Sequence, residues 1–255
     1  RYGSRPRLIR EEIFMFGGYG MYGYGMLFDP TIGLVLIGVI ISLWAQGRVT
    51  STFNRYSRVR SMTGMTGAEA AKRLLNSQGI YDVTVRPVAG NLTDHYDPRT
   101  KTVNLSQSVF NSSSVAAIGV AAHECGHAIQ DNESYVPLRL RTAIVPAANL
   151  GSQLSWPLIL IGILIGGFGS PLVEIGILLF SLAVLFQLVT LPVEYNASAR
   201  AVKLLDSQGI LGGQEVDGTR KVLNAAALTY VAAAATSILQ LLRLVILFGG
   251  RHDRD

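Results

Sequence analysis

Two imidazoles four positions apart enclose a carboxylate in His123-Glu124-Cys125-Gly126-His127. On a helix this spacing puts both rings on one face about a turn apart, where one metal ion is within reach of both. Glu124 stands close enough to hold a water against that metal and take its proton. The chemistry expected is hydrolysis at one Zn2+ per chain, with Glu124 as general base. Asn111-Ser112-Ser113-Ser114 offers N-cap hydroxyls, and the small apolar run from Val115 to Ala122 predicts the helix that carries the motif. A catalytic zinc usually takes three protein ligands and keeps one position open. Only His95 and His252 remain among the histidines, so a carboxylate is the expected third ligand. Glu194, in Leu191-Pro192-Val193-Glu194-Tyr195-Asn196-Ala197-Ser198, is the best candidate.

The elements that must position these residues include membrane spans. The 255-residue chain is 49% hydrophobic and 15% charged, where a soluble domain carries about a quarter charged residues. Mean hydropathy is +0.34. Uncharged apolar runs cover 30–47, 143–173, 175–193 and 222–242, each near the ~20 residues that cross a bilayer core. The second is broken by Gly166-Gly167-Phe168-Gly169-Ser170-Pro171, which predicts a transmembrane hairpin over 143–193. The fourth, Ala-rich and extended to 248, is expected to span or to lie against the membrane. Two crossings between His127 and Glu194 return the chain to the face it left, as a shared metal requires. Arg48, Arg55, Arg58 and Arg60 follow the first span at 30–47, while the hairpin turn has no Lys or Arg. The positive-inside rule then puts the segment after the first span in the cytoplasm. No cleavable signal peptide is expected, because the first apolar run begins late.

Residues 1–25 read as a flexible Gly- and Tyr-rich tail, and 48–142 as the catalytic region. Within that region Thr66-Gly67-Ala68-Glu69 is a capping-box pattern opening a helix that ends at Gly79. Asp82 to Val88 and Thr100 to Leu105 read as strands, with Asp94 to Arg99 as a turn between them. Residues 194–220 form the helix and loop of the third ligand. Leu74-Leu75-Asn76-Ser77-Gln78-Gly79-Ile80 recurs as Leu204-Leu205-Asp206-Ser207-Gln208-Gly209-Ile210, which reads as two helices sharing one type of C-cap. Cys125 points off the ligand face and reads as a small buried hydrophobe. The sum is a mainly α integral membrane protein with a small sheet (α+β) and about four transmembrane helices. A net charge of +5 is modest, and no nucleic-acid partner is expected.

HECGH, a membrane hairpin, and then Glu194-Tyr195-Asn196-Ala197-Ser198 resemble the YugP-type neutral zinc metallopeptidases, and more distantly the HtpX-like and CAAX prenyl membrane proteases. The resemblance covers nearly everything from about residue 27 onward. It implies a zincin-like catalytic domain of gluzincin type, zinc on His123, His127 and Glu194, and Glu124 as base. It also implies peptide or protein substrates, and a bacterial inner-membrane location with the site facing the cytoplasm. The distant relatives carry Asp four residues after the ligand Glu, where it orients a zinc-binding His. Ser198 stands there instead, a hydroxyl that accepts the same hydrogen bond without adding charge. His95, Tyr195 and Arg200 are the candidates for holding the oxyanion. Two other functions compete. A catalytically silent zinc-bearing scaffold has no need of Glu124, and a transporter using Glu174 lacks any other charge within the hairpin spans to continue a path.

Overall fold

A computed structural model describes residues 29–249, and the structural statements below concern those residues. The tail expected over 1–25 lies outside them. In chain order the elements are α1 (Ile32–Tyr56), α2 (Gly67–Ser77), β1 (Thr84–Val88), β2 (His95–Asp97), β3 (Thr102–Ser106), α3 (Gln107–Phe110), α4 (Val115–Asn132), α5 (Val136–Gly166), α6 (Pro171–Ser207) and α7 (Gln214–Phe248). Among the described residues α1, α5, α6 and α7 are long and apolar enough to cross a membrane. The chain is thus a mainly helical membrane protein with a small mixed sheet, as its composition requires. The apolar run beginning at Ile175 and the segment bearing Glu194 belong to one continuous helix, α6.

The chain divides into two compact units. One comprises Gly47–Leu138 and Val193–Leu228 and holds the HECGH helix. Its core gathers Leu74, Leu75, Leu105, Ile118, Leu205 and Ile210 around α4. Each large aliphatic side chain buried this way stabilises the fold by about 1.5–3 kcal/mol. Local chemistry sets the element ends. The Thr66 hydroxyl accepts from the Glu69 amide while the Glu69 carboxylate accepts from the Thr66 amide, so α2 opens on a full capping box. It closes at Gly79, φ +70°, with Ile80 N–H bonded to Leu75 O. The echo at 204–210 ends α6 identically: Gly209 has φ +60°, and Ile210 N–H donates to Leu205 O. Both isoleucines are buried, so the repeat is one C-cap solution used twice.

In the three-stranded sheet β3 lies between β1, which is parallel to it, and β2, which is antiparallel. Residues 94–99, read from sequence as a turn, instead contribute the edge strand His95–Asp97. Three residues are too few to show alternation, and the pairing is enforced from outside the strand. The buried Asp94 carboxylate accepts from the Ser106 amide at 2.7 Å and from its hydroxyl, drawing β2 alongside β3. The turn follows one step later, where Asp97 accepts from the Arg99 amide and the Thr100 hydroxyl. Tyr96 hydroxyl donates to Asp131 on α4, to which Lys101 also bonds, so the sheet edge is anchored to the motif helix.

The second unit contains 29–46, Arg139–Pro192 and 229–249. Small residues let its helices approach closely, as in membrane bundles generally. A Cβ on Gly151 would lie 2.4 Å from Leu179 O, and one on Gly176 2.8 Å from Ser155 O. Large apolar side chains such as Leu36, Trp44, Leu164 and Ile165 are exposed, which suits lipid and not water. Arg243 is buried and bonds to Asp29 and Thr31, so the late arginine of α7 is neutralised at the start of α1.

Candidate metal centre

α4 begins where the Ser114 hydroxyl accepts from the Ala117 amide, and it runs buried on most sides because its residues are small. Two glycines allow neighbouring helices to reach it. A Cβ on Gly126 would lie 2.6 Å from Ala197 O of α6, and one on Gly119 2.9 Å from the Thr219 methyl of α7. At the Gly126 crossing, α6 brings Glu194 against the two histidines.

The three candidate ligands converge. His123 Nε2 lies 3.2 Å and His127 Nε2 3.5 Å from one oxygen of Glu194, and their donor atoms all fall within 4.8 Å of one another. The two rings meet edge-on at 84°, centroids 4.7 Å apart. Ligand atoms bonded tetrahedrally to zinc at 2.0–2.1 Å stand about 3.3 Å from each other, so the spacing fits that ion. Glu194 is only 2% exposed.

With a metal held between Glu194 and the Nε2 of each ring, the ring protons would belong on Nδ1, and an acceptor stands beside each Nδ1. His123 Nδ1 lies 3.1 Å from Ser198 Oγ, one helical turn after Glu194 on α6. His127 Nδ1 donates to Gln130 Oε1 at 3.0 Å. Gln130 is fully buried, and its amide nitrogen donates to Val193 O and Asn196 Oδ1, which fixes the oxygen toward the histidine. Asn196 Oδ1 also accepts from Arg200 Nε, and Arg200 pairs with Glu133 at 2.7 Å. Gln130 was not among the residues expected from sequence. Its signal was present all the same: three residues after His127 on a helix is a side-chain neighbour.

Glu124 is buried, and its carboxylate accepts from the Tyr96 amide of β2 at 2.9 Å. Burial pushes its carboxyl up to about 7, with Asp94 and Glu194 adding repulsion and His123 opposing it. Burial likewise raises the Asp94 carboxyl, against the hydrogen bonds from Ser106. Cys125 turns away from the cluster, its thiol against Ala71 O.

The remaining candidates lie around this centre without joining it. His95 is exposed on β2, with Nδ1 near Thr93 O and Nε2 near the Asn104 amide. Tyr195 is 47% exposed and lines a cavity whose wall contains none of the three ligand candidates. Arg200 is engaged by Glu133 and Asn196 and sits over the Tyr135 ring.

A curated relative, "Putative membrane protease YugP" of Bacillus subtilis (strain 168), is 49% identical over 224 residues, which is 88% of this chain and 99% of the relative. No solved structure matches. Residues 31–249 match the family described as "Putative neutral zinc metallopeptidase", and the chain belongs to that family.

Proposed function

We propose that this chain is a membrane-embedded zinc endopeptidase that hydrolyses peptide bonds with Glu124 as general base. The observation that carries the reading is the convergence of His123, His127 and Glu194 at ligand spacing, with Glu124 beside the first of them. Two imidazoles and one carboxylate are a catalytic zinc donor set that leaves a position for water. Zinc held by these three residues supplies Lewis acidity, which lowers the pKa of water towards ~7 and polarises the scissile carbonyl.

The rest falls to the chain's own groups. A Glu124 oxygen takes the proton of the attacking water and passes it to the leaving amine. A carboxyl near 7 suits a proton carrier that must both accept and release. The Tyr96 amide holds that carboxylate in place. Ser198 and Gln130 hold the two rings so that Nε2 faces the metal position. As the edge of the sheet, β2 offers backbone groups on which an extended peptide can pair. Of the oxyanion candidates, His95 is on the strand whose Tyr96 amide bonds Glu124. The arginines after the first apolar stretch support a centre at the cytoplasmic face of the membrane, and one zinc per chain is the expected content.

Purified protein loaded with zinc is expected to cleave an unfolded substrate such as casein. A chelator should abolish cleavage and added zinc restore it. Glu124→Gln should lower kcat by about 10²–10⁴-fold while keeping its zinc. Cleavage unchanged in that variant, or none from zinc-loaded wild type, removes the peptidase assignment.

A further inference from the structure

We propose that the cavity between the end of α1 and the start of α7 binds the phosphate-bearing headgroup of an acidic phospholipid. It holds about 600 Å³ and is lined on its polar side by Arg48, Arg55, Tyr56 and Lys221. No aspartate or glutamate lines it. None of its three cations makes an ion pair among the described residues. Three like charges facing one space repel each other, and an anion placed among them relieves that repulsion.

The walls are built, not incidental. A Cβ on Gly218 would lie 2.7 Å from the Tyr56 ring, so that ring rests directly on the α7 backbone and sets the gap between the helices. The Arg55 guanidinium lies over the same ring, 5.6 Å from its centroid.

Two features select a lipid over a soluble anion. Arg48 is the first charge after the apolar run of α1, which puts the cationic wall at headgroup depth. Ala225 and Leu228, in the first turns of the apolar run of α7, complete the lining and offer a surface for glycerol and acyl carbons. A free phosphate makes no use of that surface. Tyr195 closes another side, so an occupant touches the turn of α6 next to Glu194. The site does not depend on the peptidase reading, and its test reads binding alone.

The full chain in neutral detergent is titrated with dihexanoyl-phosphatidylglycerol, dihexanoyl-phosphatidylcholine and inorganic phosphate, followed by ³¹P line width. Saturable binding of the phosphatidylglycerol near one per chain is expected, at least tenfold tighter than either comparator. Each cation near an anionic headgroup changes affinity about fivefold, so Arg48→Gln combined with Lys221→Gln should weaken binding at least tenfold. The charge-keeping pair Arg48→Lys with Lys221→Arg should retain it, which separates lost charge from lost fold. Equal binding of the two lipids, equal binding of inorganic phosphate, or a neutral double variant that binds like wild type would overturn the proposal.

Discussion

Gln130 shows how little freedom the second histidine has. Its amide nitrogen is committed to Val193 O and Asn196 Oδ1, so only its oxygen is left for His127. Groups that orient a metal-bound imidazole typically matter 10–100-fold in metal affinity. Gln130→Met keeps the length of the side chain and removes both roles. Zinc affinity, measured by competition with a chromophoric chelator, is expected to fall 10–100-fold. Gln130→Glu still accepts from His127 and should restore part of the loss, although Val193 O then goes without a donor. An affinity that does not move in Gln130→Met would make this residue a packing group only. At this scale the sequence was partly legible. Two histidines at i and i+4 must share a helix face, whereas Gln130 is one polar residue among several, and its partners lie 63 and 66 positions away.

Helix α4 works as an element because it has almost no side-chain bulk where other helices cross it. Gly126 is the decisive position, since the backbone of α6 occupies the space a methyl group would need. Gly126→Ala should gain helix propensity of about 1 kcal/mol yet lose more by forcing the helices apart. Overpacking of this kind costs about 1–3 kcal/mol. Thermal melting of the variant is expected to drop, and its zinc affinity should drop with it, because Glu194 and Ser198 ride on the displaced helix. A variant that melts as wild type does would show that α6 has room to yield. Elements were legible where they are long or capped. Apolar runs mark the four long helices, and Thr66 with Glu69 marks the start of α2. β2 was not legible, because its existence rests on Asp94 meeting Ser106 twelve residues away. The cavity beside Tyr195 was equally hidden, since its cations come from segments far apart in the chain.

For the molecule as a whole, the asymmetry of arginines predicts an orientation that labelling can read. Gly169, in the turn between α5 and α6, and Ser57, just after α1, should lie on opposite sides of the membrane. In intact cells a membrane-impermeant maleimide is expected to label Gly169→Cys, and Ser57→Cys only after lysis. The reverse pattern would invert the topology and put the metal centre outside. The experiment has a silent background because the chain's one native thiol, Cys125, is buried. Burial and the neighbouring Glu124 also push that thiol well above its usual range, so it stays protonated and inert.

That inert sulfur has a bearing on durability. With the sole thiol facing Ala71, the donor atoms that gather at the two rings are nitrogen and oxygen only. Oxidants that dismantle thiolate-held ions find nothing there to attack, while acid, by protonating imidazole, competes directly for the coordinating lone pairs. The proposed zinc peptidase, built this way, would tolerate peroxide and surrender its ion to falling pH.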